Sequence, residues 1–197
     1  MGHRTKELAP LSGLPGMIRE ARYHEFSRQA LGIVLVPVFG WFCAPLPLLF
    51  YIGAAVALLG IVVRLYASGF IVKNHELATV GPYAVVRHPL YTGNVLILLG
   101  MVLGNSQWWA AVLGVWFLWF FYPTTIEYED RKLRKIFGEK WDAWSADVPA
   151  IFPRSLSGMG GGSWSFMKSL RQNAEPLVVL WVLFWLYWLW RQLPGEF

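Results

Sequence analysis

The feature that most constrains this chain is an uncharged run that extends from Ala30 to Val63. One membrane-spanning helix needs only about 20 apolar residues, so this run is too long for a single span and has to fold back. The turn is encoded between Cys43 and Pro47, because proline lacks an amide donor and disfavours helix in the residue before it. We therefore predict a first span over Phe26 to Phe42 and a second over Leu46 to Tyr66.

Three further apolar blocks follow, at Leu90 to Gly104, Trp108 to Pro123 and Pro176 to Trp190. The first two are short and separated by a polar tripeptide, which predicts a tight helical hairpin. The third is rich in tryptophan, a residue enriched at membrane interfaces, and predicts a terminal span. Composition agrees, since 15% charged residues is well below the share of about 25% in soluble domains. A soluble protein with a large core is the less favoured alternative.

The predicted fold class is therefore all-α, a transmembrane helical bundle of about five spans. Loops and helix ends would form a pocket on its cytoplasmic side. We divide the chain into an interfacial segment at 1–28, a membrane-embedded core at 29–153, a glycine-rich linker at 154–173 and an additional C-terminal transmembrane helix at 174–197. A helix over Pro15 to Arg28, with basic residues among apolar ones, is predicted to lie at the lipid headgroups.

The basic residues predict the orientation. With five spans, every one of the 17 basic residues except Arg191 falls on the same side, which the positive-inside rule assigns to the cytoplasm. The net charge of +5 does not indicate nucleic-acid binding, because the basic residues flank apolar blocks and do not form one face with stacking aromatics. Membrane lipids are the expected partners of these residues, and the oligomeric state is left open.

Two polar clusters lie at ends of apolar helices on that side. One is GPYAVVRHPLYTG at Gly81 to Gly93, and the other is EYED at Glu127 to Asp130. Taken singly, Arg87 would only snorkel, His88 would cap a helix, and EYED would belong to a solvated amphipathic helix. Taken together, an arginine and several carboxylates at a membrane face are costly unless paired, so they indicate a site for a zwitterionic or sulfonium ligand.

Several other kinds of site have no support in the sequence. No metal site is expected, since His75 and His88 lack further ligands at a workable spacing. The single Cys43 excludes an intramolecular disulfide framework and a cysteine-rich metal site. There is no glycine-rich phosphate loop and no GxSxG elbow, so nucleotide hydrolysis and serine-esterase chemistry are not predicted.

The stretch from about Leu59 to Pro153 resembles the isoprenylcysteine carboxyl methyltransferase family and its relatives among the phospholipid methyltransferases. The matching pieces are LLGIVVRLYASG at 58–69, HELATVGPYAVVRHPLYTGNVLILLG at 75–100, EDRKLRKIFGEKWDAW at 129–144 and VPAIFP at 148–153. Their order and spacing are highly specific. The terminal span lies outside this shared core, and the resemblance implies no role for it.

The resemblance implies an integral membrane enzyme that binds S-adenosylmethionine and releases S-adenosylhomocysteine. Arg87 and Glu129 would be the catalytic residues, nearest the reacting centre. The cofactor would be bound by His75, Leu77, Val80, Gly81, Pro82, Tyr83, His88, Pro89, Tyr91, Gly93 and Asp130, with Leu77 to Tyr83 on the adenosine side. Asp130 stands where the family usually has glutamate, a shortening by one methylene that keeps the charge.

The implied function is methyl transfer to a membrane-embedded lipid or lipidated acceptor, with a carboxylate as the preferred group. A carboxylate is already ionised at neutral pH and needs no general base, whereas a lipid amine would need Glu129, Glu127 or His88 as base. N-methylation of a phospholipid or another lipid amine is the first alternative. A nicotinamide-dependent reductase of sterol-like substrates would need a larger chain, and a non-catalytic membrane scaffold is the remaining alternative.

Overall fold

The computed structural model describes residues 4–71, 76–171 and 174–195. Within these ranges the chain forms eight α-helices, one turn of 3-10 helix and no strand, which confirms the all-α prediction. The α-helices are α1 Gly13–Tyr23, α2 Glu25–Trp41, α3 Pro47–Ser68, α4 Pro89–Asn105, α5 Trp108–Phe137, α6 Glu139–Ser145, α7 Phe166–Arg171 and α8 Glu175–Trp190, and the 3-10 turn is Gly81–Ala84.

Two described helices, α3 and α5, are long and apolar enough to cross a membrane. Helices α4 and α8 are also apolar but shorter, at 17 and 16 residues. The predicted turn within the uncharged run is confirmed, because α2 ends at Trp41 and α3 begins at Pro47. Proline suits the first position of a helix, where its missing amide donor has no partner to lose.

The N-terminal part differs from the prediction of one helix up to Arg28. The backbone of His24 is extended, and this residue separates α1 from α2. Its ring nitrogen accepts a hydrogen bond from the amide of Ser27 at 3.2 Å and so caps α2, as short polar side chains do at helix starts. Helix α5 also differs, since it continues through the EYED cluster to Phe137 and ends where Gly138 adopts a positive φ of 55°.

Helices α3 and α4 pack most closely, through small residues. A Cβ atom on Gly60 would lie 2.7 Å from the carbonyl oxygen of Gly93, and one on Gly100 would lie 2.5 Å from the carbonyl oxygen of Gly53. Only glycine allows the two backbones to approach so closely, which is the usual way that apolar helices associate in membranes. This contact fixes the relative position of α3 and α4.

Side-chain hydrogen bonds hold the end of the bundle opposite the polar clusters. The Asn105 side chain is fully buried and donates to the carbonyl oxygens of Phe39 at 2.5 Å and Phe42 at 3.1 Å. The hydroxyl of Ser106 accepts from the amide of Leu46 at 3.0 Å. These bonds satisfy backbone groups that the ends of α2 and the start of α3 leave free, so they tie the two turns of the bundle together.

Helix α8 packs on α2, α3 and α4 and contributes Val182, Trp185, Leu186 and Leu189 to the core. At its start, Glu175 is fully buried and receives two hydrogen bonds from Arg64 of α3, from Nε to Oε2 at 3.0 Å and from Nη2 to Oε1 at 2.8 Å. Arg64 also donates to Asn94 of α4 at 2.5 Å. The end of the predicted linker packs here too, since the Ser169 hydroxyl of α7 donates to the Leu65 carbonyl at 2.6 Å.

Candidate functional site

The backbone after α6 holds the Arg87-His88 segment in place. The amide of Arg87 donates to the carbonyl oxygen of Pro149 at 2.8 Å, and the amide of His88 donates to that of Ala150 at 2.9 Å. The hydroxyl of Thr92 donates to the Ile151 carbonyl oxygen at 2.8 Å. The VPAIFP segment therefore lies across the start of α4 and holds it through hydrogen bonds. This contact gives a structural reason for the spacing in the sequence between the piece that contains Arg87 and His88 and the VPAIFP piece.

Asp130 joins the two polar clusters. Its Oδ2 receives a hydrogen bond from Nη2 of Arg87 at 2.8 Å, and its Oδ1 lies 2.7 Å from Nε2 of His88. The other guanidinium nitrogen of Arg87 donates to the carbonyl oxygens of Ser145 at 3.1 Å and Val148 at 2.7 Å. The structure thus confirms that the two clusters meet, and it places Asp130 between Arg87 and His88.

Asp130 lies in the part of α5 that follows its apolar segment. Partial burial raises the pKa of this carboxyl, but the hydrogen bonds and charges of His88 and Arg87 outweigh burial, so the pKa lies below its usual range. The side chain is therefore an anion at neutral pH. An anionic Asp130 compensates the Arg87 guanidinium and orients both of its partners.

A cavity of about 1370 Å³ adjoins this arrangement. Seven of the predicted site residues line it: Leu77, Tyr83, Arg87, His88, Pro89, Tyr91 and Glu129. Glu129 lies on the cavity wall, whereas its neighbour Asp130 does not line the cavity. The two differ because successive side chains on a helix point about 100° apart. The nearest cation to Glu129 in the described chain is Lys132, whose Nζ lies 3.9 Å away. The two adjacent acids therefore have different surroundings.

The remaining predicted residues lie beside the cavity or outside the residues that the structure describes. Val80, Gly81 and Pro82 lead into the turn that carries Tyr83, and Gly81 has a φ of +61° with the Phe70 ring 2.7 Å from where a Cβ would be. Gly93 faces α3, where a Cβ would lie 2.5 Å from Cγ of Arg64. These four residues shape the backbone. His75 lies outside the described residues.

Sequence reasoning missed several residues that line the same cavity. They come from the N-terminal segment, from the second half of α5 and α6, and from α8, and they include Arg4, Arg28, Tyr128, Trp141, Trp144 and Trp181. The guanidinium of Arg28 lies over the Tyr91 ring, with its Cζ 5.6 Å from the ring centre. Arg28 is the last charged residue before the first apolar run, and this position could have identified it from the sequence as a residue near the site.

Four buried polar atoms of residues that line the cavity have no hydrogen-bond partner in the described chain: the Tyr83 hydroxyl, the Trp144 indole nitrogen and the Nε atoms of Arg28 and Arg87. Burial also raises the pKa of Tyr83, so its hydroxyl keeps its proton and can donate. Buried polar groups are usually paired, and exceptions often mark a ligand position. In the described residues, no group of three or more His, Cys, Asp or Glu side chains is arranged to hold a metal ion.

Comparison with known proteins gives a family match. Residues 33–140 match the profile of the phospholipid methyltransferase family, which is more than half of the chain. The cobalt-zinc-cadmium resistance protein CzcN of Cupriavidus metallidurans is 38% identical over 131 residues, 64% of this chain and 60% of that protein. The nickel-cobalt-cadmium resistance protein NccN of Alcaligenes xylosoxydans xylosoxydans is 37% identical over 116 residues, 58% of this chain and 53% of that protein.

An isoprenylcysteine methyltransferase is also similar. The protein-S-isoprenylcysteine O-methyltransferase of Schizosaccharomyces pombe is 37% identical over 83 residues, 41% of this chain and 34% of that protein. The matched parts thus span between about a third and 60% of these relatives. No solved structure matches the chain.

Proposed function

The chain belongs to the phospholipid methyltransferase family, and on this premise we propose that it is an integral membrane, S-adenosylmethionine-dependent methyltransferase acting on a lipid or lipidated acceptor. The observation that carries the proposal is the cavity of about 1370 Å³ beside the Arg87-Asp130-His88 arrangement, with Glu129 on its wall. A fixed cation, a carboxylate and apolar walls in one cavity suit a charged cofactor together with a lipid.

The residues around the polar end of the cavity fit the cofactor. Its sulfonium is a cation, and the carboxylate of Glu129 favours a cation nearby. The unpartnered Tyr83 hydroxyl and Trp144 indole N–H are donors for its ribose, adenine or carboxylate groups. The volume of about 1370 Å³ exceeds the range of roughly 300–1,000 Å³ that one small ligand usually takes. There is space for both substrates.

When bound, the cofactor supplies a methyl group on a sulfonium, and its transfer forms one bond to the acceptor while the carbon–sulfur bond breaks and its electron pair stays on sulfur. The chain itself has to bind, orient and shield the reacting groups. We assign Glu129 to the cofactor side. We assign Arg87, held by Asp130 and two carbonyl oxygens, to orienting the acceptor through its remaining N–H donors.

A carboxylate is the acceptor that this site favours. Arg28, with its cation over the Tyr91 ring, and Arg87 both line the cavity, and two guanidinium groups attract an anion. An anionic oxygen needs no general base for methyl transfer. The similarity to an isoprenylcysteine O-methyltransferase supports the same choice. The lipid-amine alternative would require Glu129 to accept a proton in addition to facing the cofactor.

The proposal includes five spans, with the site facing the cytoplasm. Helices α2 and α4 have 17 residues each and would measure about 25 Å, slightly less than a hydrocarbon core of about 30 Å, a mismatch that local thinning accommodates. Single cysteines test the orientation in a Cys43→Ser background. A thiol reagent that cannot cross membranes should label Ser106→Cys from outside intact cells and leave Ser157→Cys unlabelled, and the reverse result would contradict the orientation.

Ligand binding tests the site directly. We expect S-adenosylmethionine to raise the unfolding temperature of the detergent-purified chain and Glu129→Gln to weaken this effect, because the sulfonium would lose its carboxylate partner. Glu127→Gln is the matched control, because Glu127 lies on the same helix but bonds with Tyr23 and Arg131. Equal stabilisation of both variants would remove Glu129 from the cofactor site, and no stabilisation of the unaltered chain would contradict the proposed function.

A further inference from the structure

The loop that carries Tyr83, residues 76–84, has two faces. Leu77 and Tyr83 line the cavity, whereas Val80 and Ala84 do not. In the described chain, the backbone hydrogen bonds of this loop stay within it and the two residues that follow. The position of the Tyr83 loop therefore depends on what packs against its outer face.

A glycine-rich segment, residues 158–165, covers that outer face. A Cβ atom on Gly162 would lie 2.5 Å from Cγ2 of Val80, and one on Gly158 would lie 3.6 Å from Cβ of Ala84. Both glycines have a positive φ, at +73° and +88°, a conformation that glycine adopts without steric cost. Glycine thus lets the backbone of this segment follow the loop closely at two points.

The end of α3 holds the glycine segment in place. The hydroxyl of Tyr66 donates to the carbonyl oxygen of Met159 at 3.0 Å, and the amide of Ser165 donates to that of Gly69 at 3.2 Å. The Tyr66 ring also lies edge-on to Phe70, with ring centres 5.1 Å apart, and the Phe70 ring packs against the same loop. The glycine segment and Phe70 therefore form one support behind the Tyr83 loop.

The chain that follows the glycine segment adds two buried contacts to α3. The hydroxyl groups of Ser68 and Ser169 lie 3.1 Å apart, and both residues are buried. Further along, Glu175 pairs with Arg64, which lines the cavity. All of these contacts come from the chain beyond residues 33–140, the part that matches the family. This later part of the chain thus supports the site from behind.

We propose that the glycine segment is a positioning element that holds the Tyr83 loop where it binds the methyl donor, so that residues outside the family match set the affinity for S-adenosylmethionine. This inference rests on the proposed function. The segment lines no part of the cavity, so it acts through the loop and its unpartnered Tyr83 hydroxyl. A misplacement of about 1 Å can cost about 100-fold in rate. The acceptor side, at Arg87, should be unaffected.

Two neighbouring glycines give a matched pair of variants. Gly162→Ala places a methyl group against Val80, whereas Gly161, at a φ of +110°, has nothing within 4 Å of an added Cβ. Both variants carry the strain of alanine at positive φ, but Gly162→Ala alone presses on the loop. We expect Gly162→Ala to raise the KM for S-adenosylmethionine and the Kd of S-adenosylhomocysteine about tenfold, and to change the KM for N-acetyl-S-farnesylcysteine less than about twofold. Gly161→Ala should change all three less than about twofold, and equal donor affinities in the two variants would refute the proposal.

Tyr66→Phe provides a milder test should Gly162→Ala fail to fold. It removes the hydroxyl that donates to Met159 and keeps the ring against Phe70. Since one hydrogen bond is lost, S-adenosylhomocysteine should bind about threefold to tenfold more weakly. Ser155→Ala is the control, because the Ser155 hydroxyl lies at the surface and bonds with Ser157. A Tyr66→Phe variant that binds the ligand as tightly as this control would count against the proposal.

Hydrogen exchange separates failure of this inference from failure of the proposed function, because it needs no ligand. The amides of Tyr83, Val85 and Val86 bond within the loop and should exchange faster in Gly162→Ala than in Gly161→Ala. Faster exchange, with no binding of either adenosyl compound by the unaltered chain, would contradict the proposed function alone. Binding by the unaltered chain, with exchange and donor affinity both unchanged in Gly162→Ala, would contradict the role of the glycine segment alone.

Discussion

The ion pair between Arg64 and Glu175 makes the sharpest stability prediction. Both side chains are almost completely inaccessible, at 9% and 1% exposure, and two hydrogen bonds of 3.0 and 2.8 Å join them. Glu175→Leu would leave the Arg64 guanidinium buried with Asn94 as its remaining partner. Removing one partner of a buried pair costs about 3–5 kcal/mol, which for a chain of this size corresponds to an unfolding temperature lower by about 6–20 °C.

The double variant Arg64→Met/Glu175→Leu should recover most of this loss, because an apolar pair of similar volume often replaces a buried ion pair without cost. Arg134→Ala is the control, since its pair with Asp142 at 2.8 Å is solvent-exposed and contributes only about 0–1 kcal/mol. Thermal unfolding of the four purified proteins in detergent, followed by circular dichroism, gives the comparison. A double variant as unstable as Glu175→Leu, or a Glu175→Leu variant as stable as the control, would refute the reasoning.

Three further predictions concern the site and the helix contact. Asp130→Asn removes the charge that holds Arg87 and His88, so we expect kcat for methyl transfer to fall at least tenfold. Because the pKa of Asp130 is lowered, its contribution to stability is present above about pH 4 and is lost as the pH falls below that value. In thermal unfolding from pH 3 to 7, the Asp130→Asn variant should therefore lose less stability at acid pH than the unaltered chain. Tyr83→Phe should leave the stability of the ligand-free chain unchanged, because the Tyr83 hydroxyl has no partner in the described chain. The same variant should bind S-adenosylhomocysteine about tenfold more weakly in calorimetry. Unchanged affinity would place the hydroxyl outside the cofactor site. Gly93→Ala puts a methyl group against Arg64 and should cost about 1–3 kcal/mol of stability, whereas Gly160→Ala, with nothing within 4 Å, should be neutral in the same unfolding assay.

The sequence predicted the architecture where single residues decide it locally. Prolines at the turn between α2 and α3 act through their own backbone restrictions, so the helix ends at Trp41 and Pro47 were accessible from the chain alone. The meeting of Arg87 and His88 with the EYED cluster was predicted from topology and resemblance, and the distances to Asp130 confirm it. The break at His24 was missed because its cap depends on one hydrogen bond to Ser27.

The sequence alone could not predict which residues far apart in the chain pair with each other. Arg64 and Glu175 are 111 positions apart, and nothing in the apolar pattern of α8 shows which helix its first residue approaches. The different surroundings of Glu129 and Asp130 depend on the rotation of α5 about its axis. This rotation places Glu129 on the cavity wall and Asp130 against Arg87.

The identity of the methylated product tests the proposed function most directly. The full chain, purified in detergent, is incubated with deuteromethyl S-adenosylmethionine and an equal mixture of N-acetyl-S-farnesylcysteine and phosphatidylethanolamine, and the products are identified by mass spectrometry. We expect a labelled methyl ester of the farnesylcysteine, formed by the unaltered chain and at least tenfold more slowly by Arg87→Ala. A label found only on the phospholipid amine would contradict the carboxylate assignment, and no label on either lipid would contradict the proposed methyltransferase function.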